Sequence, residues 1–211
     1  DIEPLIQSNV LFGSQLLEAM KINGIINFVN TGTSWQHYKS DDYNPVCLYA
    51  ATKQALEAIL EYYVQACGVK AITLKLFDTY GPDDSRPKLF SLLSAAAASG
   101  KTLDMSGGEQ LVDLVHIDDV TDAYLIAAQR LIECKVKRHE IYSVSSGKPM
   151  LLRDLVELYS EVIGSTINVN WGARQYRFRE VMKTWTRGIN LEGWQPKYSL
   201  ADGMKNLATK L

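Results

Sequence analysis

Two apolar runs decide this chain's architecture. "GIINFVNTGTS", Gly24 to Ser34, and "VKAITLKLFDTYGP", Val69 to Pro82, carry β-branched residues and close on turn formers. Between them, from Asn44 to Gly68, apolar residues recur three and four apart. Strand, helix, strand in that order forms a βαβ unit, with both strands parallel in one sheet. The runs are near-continuously apolar, as strands covered on both faces are. The spacing predicts strands over Ile25–Asn30 and Ala71–Phe77, the second stopped by Gly81-Pro82. Val10, Gly13, Leu16, Leu17 and Met20 predict a preceding helix over Asn9–Met20.

After Pro82 the pattern becomes mixed. "LFSLLSAAAASG" reads as a helix closed by Gly100, and short strands flank a Gly107-Gly108 turn. Asp118 is placed to cap a helix over Asp119–Cys134. "EIYSVSSG" follows as a strand, then the amphipathic "MLLRDLVELYSEVIG", a short strand "TINVNW", a basic loop and a terminal helix from Leu200. The expected organisation is a sheet domain over 1–82 and a smaller α+β lobe over 83–211, with segments crossing back to the sheet.

Composition excludes partners. A formal net charge of −2 on 211 residues gives no electrostatic reason to bind nucleic acid or an anionic membrane. No apolar run reaches the roughly 20 residues of a membrane span, and Asp1-Ile2-Glu3-Pro4 does not begin a signal peptide. Cys47, Cys67 and Cys134 match no metal or redox spacing and read as reduced thiols of a cytoplasmic protein.

"YAATK" carries the chemistry. Tyr49 and Lys53 are four apart, so a helix sets them one turn apart on one face. Taken alone, such a pair is most often the exposed first turn of a core helix. Here it follows a strand whose hydroxyls leave the sheet at its carboxyl end, where open α/β folds bind ligands. A phenol of pKa about 10 is a poor acid or base at neutral pH, and a nearby ammonium favours its ionisation. Thr, Tyr and Lys in this order suit hydride chemistry between an alcohol and a carbonyl.

With these residues in place, the sequence resembles the extended short-chain dehydrogenase/reductases, the NAD-dependent sugar-nucleotide epimerase/dehydratase family. "NVLFGSQLLEA" is similar to the family's Asn-containing helix, "NFVNTGTS" to its strand and catalytic Ser/Thr loop, and "YAATK" to its YxxxK. "LKLFDTYGP", "LVDLVHIDDVTDA" and "GWQPKYSLADGM" resemble later family blocks in the same order. The resemblance implies a Rossmann-type parallel sheet with a substrate-binding lobe. It also implies NAD or NADP as cofactor, a nucleotide-sugar substrate, no metal and a homodimer. The dimer would form through the helices at Asn9 and Tyr49, where Ala51, Ala55, Ala58 and Tyr62 make a stripe of mostly small residues.

The resemblance also implies roles. Thr33 takes the catalytic hydroxyl position, with Thr31 as its competitor. Tyr49 is the acid/base, and Lys53 lowers its pKa and holds the nicotinamide ribose. Asn9 and Phe77 lie at the cofactor, while Asp78, Thr79 and Arg177 meet the substrate, Arg177 having Arg174 and Arg179 as neighbours. Three departures stand out. The family's opening Gly-rich turn has no counterpart, so residues 1–82 correspond to the C-terminal half of a dinucleotide-binding domain and the roles describe the intact protein. Val112 stands where a phosphate-binding Arg is usual, and Asp78 where Asn is usual. Family dehydratases follow the catalytic Thr with Asp-Glu; here Ser34 and Trp35 follow. The expected reaction is therefore 4-epimerisation or 4-ketosugar reduction. A 4,6-dehydratase, or a non-catalytic NAD(P)-binding sensor or scaffold, is the alternative.

Overall fold

A computed structural model describes residues 1–84 and 86–208. In chain order these form α1 (Ile2–Ile6), a π-helical turn (Gln7–Leu11), α2 (Phe12–Ile22), β1 (Asn27–Thr33), two 3-10 turns (Ser34–Gln36 and Tyr38–Ser40) and α3 (Leu48–Cys67). Then come β2 (Lys70–Leu76), β3 (Asp78–Tyr80), α4 (Leu89–Ser99), β4 (Leu103–Met105), β5 (Leu111–Val112), β6 (Leu114–His116) and α5 (Ile117–Ile132). Last are β7 (His139–Val144), β8 (Met150–Leu151), α6 (Leu152–Ile163), β9 (Val169–Trp171) and α7 (Leu200–Ala208). They make two compact units, one of Asp1–Phe77, Val120–Ser145 and Trp185–Gln195, the other of Asp78–Asp119, Ser146–Thr184 and Pro196–Leu211.

The first unit holds a parallel sheet in the order β1-β2-β7. Asn27 pairs with Lys70 and Thr33 with Leu76, and Ala71 pairs with His139. The two expected strands therefore share one parallel sheet, and the chain has the Rossmann-type α/β class read from its sequence. The helices α2 and α3 cover one face through Leu17, Met20, Leu56, Leu60, Tyr63 and Val64, packed with Val69 and Ala71. Burying such side chains contributes about 1.5–3 kcal/mol each. Gly68, at φ 72°, ends α3 in the left-handed conformation that glycine adopts without strain.

Four boundaries differ from the expectation. Helical structure starts at Ile2, seven residues before Asn9, because Pro4 falls in the first turn, where its missing N–H costs nothing. Ile25 and Ile26 precede β1 and are exposed, since pairing begins only at Asn27. The second run splits after Leu76: the Phe77 N–H bonds the Val144 carbonyl at 3.3 Å, and the Asp78 N–H bonds the Asp113 carbonyl at 3.1 Å, so β3 joins β6 in a separate ladder. Asp118 lies inside the first turn of α5 rather than ahead of it, and its carboxylate accepts from the Tyr198 hydroxyl at 3.0 Å.

The second unit begins at Asp78 and is built of three two-stranded ladders: β3-β6 and β4-β9 are parallel, β5-β8 antiparallel. Its core gathers Leu93, Ala96, Leu152, Leu155, Val156, Tyr159, Ile167 and Met204. Two buried carboxylates tie its loops. Asp113 accepts from the Ser146 N–H at 2.8 Å, and Asp119 from the N–H groups of Lys197 and Tyr198 at 3.0 and 3.2 Å. Among the described residues, no helix is long and apolar enough to cross a membrane.

Candidate active site

The carboxyl end of β1 runs into a short, tightly held turn. Thr33 is buried, and its hydroxyl oxygen accepts from the Trp35 N–H at 3.3 Å. Its own N–H donates to the Gln36 side-chain oxygen at 2.9 Å, so Thr33 and Gln36 close a capping box on the 3-10 turn. A hydroxyl has two lone pairs and one proton; Trp35 occupies a lone pair, leaving the proton for another acceptor. Thr31, two residues earlier on the same strand face, shares its hydroxyl with the Tyr124 hydroxyl of α5.

Tyr49 and Lys53 occupy the first turns of α3. The Lys53 ammonium lies 5.9 Å from the Tyr49 ring centroid. Burial lowers the Lys53 pKa, and among the described residues Lys53 forms no ion pair. Burial first, then the charges of Cys47 and Tyr124, pushes the Tyr49 phenol up, opposite to the direction an ammonium would supply. Desolvation of a phenol penalises phenolate more than a cation across the ring favours it.

Asn9 falls in the π turn, not at a helix end. Its side-chain amide donates to the Thr52 hydroxyl at 3.0 Å, so it pins that turn to α3 and does not cap. Phe77 is buried and stacked with Trp185 at 6.4 Å between centroids. In the second unit, Thr79 is half-buried on β3. The Asp78 carboxyl keeps solvent access, yet the protein crowded around it pushes its pKa up; Lys88 and Arg177 oppose that push, while Asp113 and Glu180 add to it. Arg177 and Arg174 are exposed and Arg179 is half-buried. Val112 packs beside the second unit's core. A concavity of about 620 Å³ in that unit, bordered by Glu157, Glu161, Asn168 and Trp171, contains none of the expected site residues.

Behind Thr33 lies a polar cluster that pattern reading passed over. Gln36 is fully buried, and its amide nitrogen donates to Gln54 at 2.6 Å and to Glu57 at 3.2 Å. Glu57 pairs with Lys75 at 3.3 Å, both side chains being buried. The Lys75 ammonium also donates to His37 Nε2 at 2.7 Å, and His37 donates from Nδ1 to the Asp41 carbonyl at 3.0 Å. His37 stacks on Trp185 at 4.0 Å. Gly32 makes room for this cluster, since a Cβ there would meet the Gln36 side-chain oxygen at 2.9 Å and Lys75 Cγ at 3.0 Å. A lysine near the end of a strand buried along most of its length was the available signal, because a buried lysine requires a partner.

A parallel α/β sheet whose β1 end carries Thr33, followed by Tyr49 and Lys53 on one helix, defines a class of dinucleotide-dependent enzymes. The family model described as "NAD dependent epimerase/dehydratase family" matches residues 1–144, and the chain belongs to that family. Its enzyme class and its NAD cofactor come with that membership. A CDP-abequose synthase of Salmonella typhimurium is 28% identical over 210 residues, covering 97% of this chain and 69% of the relative. A UDP-glucuronate 4-epimerase of Thermodesulfobacterium geofontis is 26% identical, covering 95% and 64%. The structure of a UDP-glucuronic acid 4-epimerase from Bacillus cereus in complex with NAD superposes with a TM-score of 0.84 at 24% identity, covering 99% of this chain and 67% of that one. The chain thus spans about two thirds of these proteins' lengths.

The donors in the first unit fit a nicotinamide ribose. Lys53 offers an ammonium bound to no carboxylate among the described residues, beside a phenol that keeps its proton.

Proposed function

We propose that the intact protein transfers a hydride at a sugar carbon of a nucleotide sugar, as a 4-ketosugar reductase or 4-epimerase, with Tyr49 as acid/base. The observation that carries this reading is the Tyr49–Lys53 pair on α3, the tyrosine exposed and the lysine half-buried, in the same unit as the Thr33 hydroxyl, whose proton is free of its cap. When bound, the nicotinamide supplies or receives the hydride. In the reductive direction Tyr49 gives its proton to the carbonyl oxygen, Thr33 donates a hydrogen bond to that oxygen, and Lys53 holds the ribose and stabilises the phenolate left behind. The upward push on Tyr49 keeps the phenol protonated at rest, the form a ketosugar reductase needs.

Relatives named for CDP- and UDP-sugars support the substrate class. In the second unit, Asp78, Thr79 and Arg177 are the residues proposed to meet the diphosphate, Arg177 supplying the positive charge beside Asp78. We assign Asn9, Thr31 and Phe77 to the cofactor side, Asn9 acting through Thr52. A cytoplasmic homodimer is the proposed state. Tyr62 and Ala58 are exposed on α3, leaving that stripe open to a second copy. The sugar would serve a bacterial surface polysaccharide. Titrating nucleotide sugars and 4-ketosugars against the full-length protein, with cofactor absorbance as readout, tests the reading; no change with any of them overturns it.

A further inference from the structure

Tyr49, Lys53, Glu57 and Glu61 follow one another every four residues along α3, so they share a single stripe. Glu57 is therefore one turn from Lys53, within reach of its ammonium. Among the described residues it does not pair there; its carboxylate is taken by Lys75, reaching across from β2, and by the Gln36 amide that also holds the Thr33 N–H. We propose that Glu57 and Lys75 are a buried positioning pair: Lys75 keeps Glu57 from drawing Lys53 away from Tyr49, and Glu57 orients the Gln36 carboxamide that fixes Thr33. The proposal rests on the reading of Thr33, Tyr49 and Lys53 given above, and neither member of the pair touches the reacting atoms.

The surroundings make the pair selective. Glu57 is faced by Lys75 and Gln36, Lys75 by Glu57 and His37, and Tyr49 by Lys53, Cys47 and Tyr124. Gln54 turns the second side of Gln36, so the amide has one orientation that satisfies all partners. Removing the Lys75 ammonium leaves a buried carboxylate whose nearest alternative cation on its own helix is Lys53. Removing the Glu57 charge takes away the partner that opposes burial at Lys75, whose pKa burial already lowers. With both charges removed, no free carboxylate is left on α3 one turn from Lys53 to draw it from Tyr49.

The test is a double-variant cycle on the full-length protein at neutral pH, read as cofactor affinity by fluorescence titration and as turnover. Lys75→Met is expected to weaken cofactor binding about tenfold and to lower turnover, because the freed Glu57 carboxylate draws Lys53 from its place; the Lys75→Met, Glu57→Gln double variant should recover most of the affinity, since no carboxylate is then left to do so. Two variants that merely loosen packing would leave the double variant at least as weak as Lys75→Met. Unchanged affinity in Lys75→Met, or a double variant no tighter than it, would overturn the proposal. Should Lys75→Met fail to fold, the double variant and Glu57→Gln still decide it: a double variant that binds cofactor markedly more weakly than Glu57→Gln counts against the pair. Turnover of the Tyr49→Phe protein separates the two readings. A Tyr49→Phe enzyme near wild-type rate defeats the catalytic assignment, whereas an absent recovery with an inactive Tyr49→Phe defeats only the positioning pair.

Discussion

The Asn9 side-chain amide donates to the Thr52 hydroxyl at 3.0 Å, and that hydroxyl donates to the Tyr49 carbonyl at 2.8 Å, so the π turn ahead of α2 is tied to the first turn of α3. The π turn itself turns Asn9 toward this partner, 43 residues later in sequence. Replacing Asn9 by Ala removes one part-buried hydrogen bond and leaves Thr52 without its donor. The expected cost is about 1 kcal/mol, measured as a shift of the urea midpoint at unchanged slope. A midpoint within error of wild type would show that the bond is not holding the turn.

Tyr49→Phe keeps the ring and its packing and removes the proton. Acid/base help of this kind is worth about 10²–10⁴-fold, so turnover should fall by that much while cofactor affinity changes little. Initial rates, together with a cofactor titration monitored by fluorescence quenching, check both halves. A rate within a few-fold of wild type would make Tyr49 a packing residue.

The two threonines of β1 separate by their partners. The Thr33 hydroxyl accepts from its own turn and keeps its proton, whereas the Thr31 hydroxyl is engaged with Tyr124. Thr33→Val should lower turnover about 10²-fold, the usual loss on deleting one donor to a developing oxyanion, and Thr31→Val should stay within a few-fold. The reverse order of effects would move the catalytic assignment to Thr31.

What the sequence disclosed follows from what is local. The βαβ order, the C-caps at Gly68 and Gly100, and the facing of Tyr49 and Lys53 depend on spacing along one element, and they were legible. The π turn at Gln7–Leu11 was not, because nothing in "QSNVL" differs from an ordinary helical turn until Asn9 meets Thr52. Phe77 marks a second limit. "AITLKLFDTY" is one continuous β-prone run, and only the bond from the Asp78 N–H to the Asp113 carbonyl divides it between two sheets. The Glu57–Lys75–His37 cluster joins three separate segments. Lys75 alone, near the end of β2, signalled that such partners had to exist.

His37 sets a pH dependence. Burial first, then the Lys75 ammonium, holds its pKa below the ordinary 6.5, so in the folded state it stays neutral and accepts from Lys75. Between the folded value and 6.5 the unfolded chain binds a proton that the native state refuses, so stability falls as pH drops through that window. Denaturation midpoints taken from neutral pH down to about pH 5 should decline more steeply for wild type than for His37→Gln, which accepts from Lys75 without titrating. Parallel declines would remove His37 as the source.

The residues after Thr33 bear on the kind of reaction. Eliminating water from a sugar requires one group to protonate the departing hydroxyl and another to take the neighbouring proton. Ser34 and Trp35 occupy these positions in the 3-10 turn; indole offers only a donor N–H of negligible acidity, and a serine hydroxyl without a base is a poor acid. The Trp35 backbone is also committed, its N–H to the Thr33 hydroxyl and its carbonyl accepting from Val46 at 2.9 Å, so the turn cannot readily swing another group into place. The full-length protein incubated with a nucleotide hexose in deuterated water should therefore give no 4-keto-6-deoxy product. Mass spectrometry of the recovered sugar decides the matter: deuterium at C5 in a 4-keto-6-deoxy product would show that the wild-type protein is a dehydratase, and an unlabelled hexose is the expected result.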